Sequence, residues 1–223
     1  MKVSLLVRNT VHSEIRSHFL FKGKRMADHR APSPAVQKQR VAVHRDVSRA
    51  LRRSISGLSP RHVLDVGTGY GASVELLARR FGGMGRIWSI DVSAEVIRSV
   101  REMLKSKGLG ESVFLKKGKA EQMPFRAGRF DLVVSLLSLH HFSNPLEALR
   151  EMARVTSHGG KVIVADWKPT KSPVTPHSAK DIPSPTFVER KLRLLGWSTT
   201  LKEGRYWYLV EASKGQSKPL QNR

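Results

Sequence analysis

One stretch of ten residues narrows the fold more than any other: Val63-Leu64-Asp65-Val66-Gly67-Thr68-Gly69-Tyr70-Gly71-Ala72. A short apolar run over 62–66 reads as a buried strand, and it ends in three alternating glycines. Helical spacing starts at once, with Val74, Leu77, Ala78 and Phe81 on one face of 72–81. Glycines at a strand-to-helix turn remove side chains, so backbone amides can approach a ligand at the positive end of a helix.

The period keeps switching downstream. Strands are expected over 86–91, 112–116, 129–135 and 161–166, and helices over 94–107, capped by Ser93, and 145–156, capped by Asn144 with Pro145 at its first position. Such alternation implies crossover connections and a parallel sheet covered on both faces. The fold class expected is therefore α/β, a Rossmann-like sheet. Ahead of it, apolar residues at Val36, Val43, Val47, Ala50, Leu51 and Ile55 predict an amphipathic helix over 35–55, within a segment 35–60 that packs on the core. Residues 1–34 read as a basic, loosely ordered extension, with Met26 as an alternative start, and 213–223 as a disordered tail. Segment 168–185 is polar and proline-rich and reads as a surface loop over the substrate side. A helix over 186–195 and a hairpin, 197–202 with 206–212, complete the domain of 61–212.

Composition removes several chemistries. There is no cysteine, hence no disulfide, thiolate zinc site, iron–sulfur cluster or cysteine nucleophile. No apolar run approaches the roughly 18 residues of a membrane span, and a cytoplasmic location is expected. The formal net charge is +22. Residues 1–60 carry 13 Lys/Arg against 3 acids and 168–223 carry 11 against 4, whereas the longer middle carries 16 against 11. Basic flanks suit a polyanion such as nucleic acid, or serve solubility alone.

Asp91 closes the second strand, 20 residues beyond Gly71. A carboxylate there can accept from both ribose hydroxyls of an adenosine-containing ligand. Asp65, two residues before the first glycine, favours a cationic amino-acid ligand over a dinucleotide. No Tyr-x-x-x-Lys pair is present, which argues against one class of dehydrogenase.

The order and spacing of VLDVGTGYGA, IDVS at Asp91, KAEQMPF at 119–125, FDLVVSLLSLHHF at 130–142 and GGKVIVADW at 159–167 resemble class I S-adenosylmethionine-dependent methyltransferases, especially the ubiquinone/menaquinone-biosynthesis branch. The resemblance runs from about residue 62 to 212. It implies a seven-stranded sheet whose last strand is antiparallel, with S-adenosylmethionine as cofactor. Carried onto this chain, Gly67, Gly69 and Gly71 surround the methionine part and Asp91 holds the ribose. Asp65, Thr68, Val92, Ala120, Glu121 and Ser135 complete the expected cofactor-binding set. The family usually has Asp where this chain has Lys119, which offers donors and no acceptor, so either Glu121 or a backbone carbonyl meets the adenine amino group, or adenine sits differently. Met123 and Phe125 either flank the adenine or pack in the core.

Methyl transfer is an in-line displacement, so positioning supplies much of the acceleration. His140 and His141 follow the fourth strand at the carboxyl edge of the sheet and are the candidate general bases. They serve equally as pocket walls. Asp166, on the same edge, either contacts substrate or caps a turn. No metal-ligand cluster is evident along the sequence. The Asn/Asp-Pro-Pro-aromatic signature of nucleobase amine methylation is replaced by Ser-Leu-Leu-Ser at 135–138. The expected function is methyl transfer to a small or lipid-like acceptor. The alternatives are an RNA or protein acceptor docked through the basic flanks, and a non-catalytic binding module with the same fold.

Overall fold

The computed structural model describes residues 32–214. The extension expected over 1–34 and the tail over 213–223 lie almost wholly outside the described residues. Within them, helix α1 (Pro34–Ser54) precedes β1 (His62–Val66), α2 (Ala72–Phe81), β2 (Arg86–Asp91), α3 (Ala94–Ser106), β3 (Val113–Lys117) and β4 (Phe130–Leu136). Then come α4 (Pro145–Val155), β5 (Thr156–Trp167), α5 (Pro185–Leu194), β6 (Trp197–Glu203) and β7 (Trp207–Lys214).

The strands form one sheet in the order β3-β2-β1-β4-β5-β7-β6. All pairings among β1 to β5 are parallel; β7, the last strand of the chain, runs antiparallel to both its neighbours. The α/β, Rossmann-like architecture expected from the alternating periods is the one observed.

Strand alternation divides the buried residues into two layers. Leu64, Val66, Val133, Val162 and Val164 face α4 and α5, meeting Leu149, Met152, Val188 and Leu192. Val63, Ile87, Leu132, Val134 and Ile163 face α1, α2 and α3, meeting Val47, Leu51, Leu77, Phe81 and Leu104. Full burial of each such aliphatic side chain is worth roughly 1.5–3 kcal/mol, so α1 is held by its Val43, Val47 and Leu51 stripe while its Lys/Arg face stays exposed.

One boundary differs from expectation. Strand β5 starts at Thr156, not 161, and takes Gly159-Gly160 into the strand across an irregularity in its register with β4. Glycine's poor strand propensity conceals such a segment. The loop expected over 168–185 is mostly exposed or half-buried, and it is anchored to the body of the domain. Val174 and Ile182 are buried against the α1 side of the core, and Arg40 of α1 donates to the carbonyls of Pro173 and Val174 at 3.0 Å each.

Candidate active site

The glycine turn joins β1 to α2 at the carboxyl edge of the sheet. Gly67 and Thr68 both donate from their backbone to Ile90 O, at 2.9 and 3.0 Å, tying the turn to β2. Gly67 and Gly71 have φ of 89° and 84°, values that L side chains rarely adopt. Space adds a second demand. A Cβ on Gly67 would sit 2.6 Å from Ser138, and one on Gly71 would sit 2.5 Å from Met103 of α3. Side chains cap α3, α4 and α5 through Ser93, Asn144 and Ser184, whereas α2 begins at Gly71 with no side-chain cap. Its first amides are therefore available to an incoming ligand.

Two carboxylates flank this turn. Asp91, half-buried, accepts from Gly69 N at 3.1 Å through one oxygen and from Ser93 N at 2.9 Å through the other. It thus shapes the turn and starts α3 while each oxygen keeps further acceptor capacity. Asp65 is fully buried on the α2 side, with Oδ2 accepting from Ser89 Oγ at 2.6 Å. Its Oδ1 is buried with no hydrogen-bond partner at good geometry. Burial raises its pKa to about 7, opposed by the nearby Ser73 and Ser89 hydroxyls and assisted by the charge of Asp91. A buried acid poised to ionise, with one unsatisfied oxygen beneath the glycine turn, suits a cationic ligand.

The other expected cofactor residues divide. Thr68 turns inward, its hydroxyl 2.6 Å from Ser89 Oγ, so it contributes the shape of the turn and not a side-chain contact. Val92, directly after Asp91, is 59% exposed and presents an apolar surface. Ala120 is buried, and Glu121 accepts from Asn144 N at 3.2 Å through Oε1, leaving Oε2 for a ligand. Lys119 is exposed. Of the two readings of Met123 and Phe125, core packing holds. Both are buried in the α4 layer, with Phe125 edge-on to Phe130 at 5.0 Å.

The acceptor side is built after β4. Asp65 pairs with Val134, so Ser135 points to the opposite face; it is buried and its hydroxyl has no partner. Leu137 then takes φ 52°, a strained value for a bulky residue. It turns the chain so that Ser138 Oγ donates to Leu136 O at 3.0 Å and Gly67 O at 3.3 Å, placing this loop directly against the glycine turn. A short 3₁₀ turn, Leu139–His141, follows.

His140 is held on two sides by Asp166, which is wholly buried. Its backbone N donates to Asp166 Oδ2 at 2.9 Å, and its Nδ1 lies 2.6 Å from Oδ1. Trp167 N donates to Oδ1 at 2.8 Å and fixes the carboxylate further. Asp166 therefore caps the short turn through His140 N, as one reading of its position suggests, and also orients the His140 ring. His140 Nε2 is left buried and without a hydrogen-bond partner.

The fold adds two histidines that sequence spacing did not flag. His177, from the segment after β5, has its ring 4.7 Å from that of His140 and 4.8 Å from that of His141. His44 of α1 packs edge-on to Trp167 at 5.8 Å.

Residues 64–164 match the family described as "Methyltransferase domain". With the sheet order and the strand–glycine turn–helix above, they resemble the domain of the class I S-adenosylmethionine-dependent methyltransferases. Within that class the similarity runs to the ubiquinone/menaquinone biosynthesis C-methyltransferases UbiE. The protein of that name from Cupriavidus taiwanensis is 35% identical over 133 residues, 57% of this chain and 54% of the relative. The one from Hahella chejuensis is 29% identical over 150 residues, 67% of this chain and 58% of the relative. The chain thus spans little more than half the length of these curated relatives. Among solved structures, a methyltransferase dependent on S-adenosylmethionine from Aquifex aeolicus shares the fold at a TM-score of 0.68, with 24% identity, over 80% of this chain and 96% of its own. The [4+2]-cyclase SpnF does so at 0.68 and 17% identity over 95% of both chains.

Proposed function

We propose that this protein transfers the methyl group of S-adenosylmethionine to a small, lipid-like acceptor of the quinol type in the cytoplasm. The observation that carries the reading is the His140–Asp166 pair, set beside the glycine turn by the bonds of Ser138. Among the described residues, no helix is long and apolar enough to cross a membrane.

The residues present fit the cofactor. Gly67, Gly69 and Gly71 give the methionine part its backbone cradle, and Asp65 Oδ1 supplies an unsatisfied acceptor beneath it. Asp91 has acceptor capacity for the ribose hydroxyls, and Val92 an apolar face for the base. The second oxygen of Glu121 suits the adenine amino group in place of the missing aspartate at Lys119. When bound, the cofactor supplies a methyl already activated on a sulfonium, so the protein's task is to place and deprotonate the acceptor.

His140 Nε2 takes the acceptor's hydroxyl proton, which raises electron density on the adjacent ring carbon that accepts the methyl. Asp166 holds Nδ1 and stabilises the imidazolium that forms. The proton on that carbon then passes to the acceptor's oxygen and restores the aromatic hydroxyl, so the net loss is one proton for each methyl gained and charge balances. His141, exposed beside it, is the second candidate for this role. Support for an apolar acceptor comes from the relatives' names and from the apolar edge that Leu137 and Phe142 add to the loop.

The test is S-adenosylhomocysteine release with a panel of prenylated demethylated quinols, compared with tRNA and a peptide pool. Turnover is expected on the quinols. His140→Gln should lower kcat roughly 10²–10⁴-fold while binding the cofactor as before. Turnover on RNA or peptide alone, or an unchanged kcat in His140→Gln, would overturn the proposal.

A further inference from the structure

Three imidazoles meet on the acceptor side although they come from two separate segments, and proton removal needs only one of them. His140, His141 and His177 each offer one ring nitrogen, and these atoms all lie within 4.8 Å of one another. The rings of His140 and His141 stand 4.0 Å apart, tilted by 44°, and those of His141 and His177 are at 89° to each other. Such rings are clustered and inclined to one another, not stacked as a parallel column.

We infer that these three histidines form a binding site for a divalent transition-metal ion of the zinc type. Three features point the same way. The donors are all imidazole nitrogens, which suit zinc, nickel or copper; magnesium and calcium require oxygen ligands. With Nδ1 of His140 committed to Asp166, Nε2 is its remaining ligand atom, and that atom is buried and unpartnered. Asp166 is the outer carboxylate that ligating histidines commonly carry, fixing tautomer and ring orientation. It is itself fixed by the backbone N–H groups of His140 and Trp167.

A tetrahedral ion with zinc–nitrogen bonds of about 2.0–2.1 Å places its ligand atoms roughly 3.3 Å apart. The ligand atoms start at most 4.8 Å apart, so binding draws them together by up to about 1.5 Å, and exposed His141 gives the ion a path in. Three protein ligands leave a fourth position for water.

Bound there, the ion ties the segment after β5 to the loop after β4, adding a cross-link to those made by Arg40 and by buried Val174 and Ile182. It also occupies the atom assigned above to proton removal. Zinc and turnover therefore exclude one another, a consequence that rests on the proposed base, whereas the site itself does not.

The experiment is a zinc titration of tag-free, chelator-treated full-length protein, followed by calorimetry and by the visible absorption of cobalt as a substitute. Neither cofactor nor acceptor is present, so failure of the methyl-transfer reading leaves the result interpretable. One zinc per chain is expected. His177→Ala and His141→Ala should each weaken binding at least tenfold, and Asp166→Asn roughly 10–100-fold. Zinc should slow proteolysis around Lys171 and Lys180 in the native chain but not in His177→Ala, whose position in an irregular segment leaves the sheet intact. Changing His12, His18 and His29 together should leave affinity unchanged. No saturable zinc binding, binding unaltered in His177→Ala, or binding lost with His12, His18 and His29 instead would each overturn the inference.

Discussion

Replacing Asp65 by asparagine separates what this carboxyl does for folding from what it does for the ligand. In the folded chain its pKa stands at about 7 instead of 3.8, chiefly because burial disfavours the charge. An acid raised in this way stabilises the fold while protonated. The contribution is complete below pH 3.8 and is lost as the pH climbs through about 7, because the unfolded chain ionises freely. The full displacement is worth about 4 kcal/mol, of which about 3 kcal/mol falls between pH 5 and pH 8. The substituted asparagine cannot ionise, keeps an oxygen for the Ser89 hydroxyl and occupies nearly the same volume. Any fixed packing cost of the new amide is the same at both pH values, so it cancels from the comparison. Urea unfolding of native and Asp65→Asn protein at pH 5, 6, 7 and 8 should therefore show the variant gaining about 3 kcal/mol on the native chain across the series. Cofactor affinity should move the other way. Calorimetry at pH 8 should find S-adenosylmethionine bound at least tenfold more weakly, about 1.4 kcal/mol, since the negative charge beneath the sulfonium ligand is gone. Parallel stability profiles for the two proteins would refute the argument that Asp65 is a desolvated, poised acid.

Asp91→Ala removes the acceptor for Gly69 N and Ser93 N as well as for the ribose. Cofactor binding should weaken by roughly 1.5–3 kcal/mol, read by calorimetry, with a smaller loss in melting temperature. Gly71→Ala forces a Cβ to within 2.5 Å of Met103 Cε at φ 84°. The left-handed backbone alone costs about 1–2 kcal/mol, so urea unfolding should show at least that destabilisation, and Gly71→Ala with Met103→Ala should recover the part due to the clash.

The features legible in the sequence were those written locally. Strand, glycine turn and helix follow one another within 62–81, and Asp91 stands at a fixed remove, so the cofactor side could be read along the chain. Caps at Ser93 and Asn144 were legible for the same reason, since each acts within three residues. Side-chain direction was harder to read. Thr68 turns to Ser89, and Met123 and Phe125 enter the core, because the fold decides which face of a loop is inside. The acceptor side was least legible. His177 lies 36 residues beyond His141 in a proline-rich segment, which Arg40 of α1 and the burial of Val174 and Ile182 anchor near the sheet edge. Asp166 showed its position but not its partner, which depends on Leu137 turning the backbone at φ 52°.

The most direct test of the central claim is calorimetric titration of nucleic-acid-free protein with S-adenosylmethionine and, in parallel, with NAD. Saturable one-to-one binding of S-adenosylmethionine, weakened in Asp91→Ala, with no heat from NAD, is the result this account predicts. No binding of S-adenosylmethionine, or tighter binding of NAD, would contradict it.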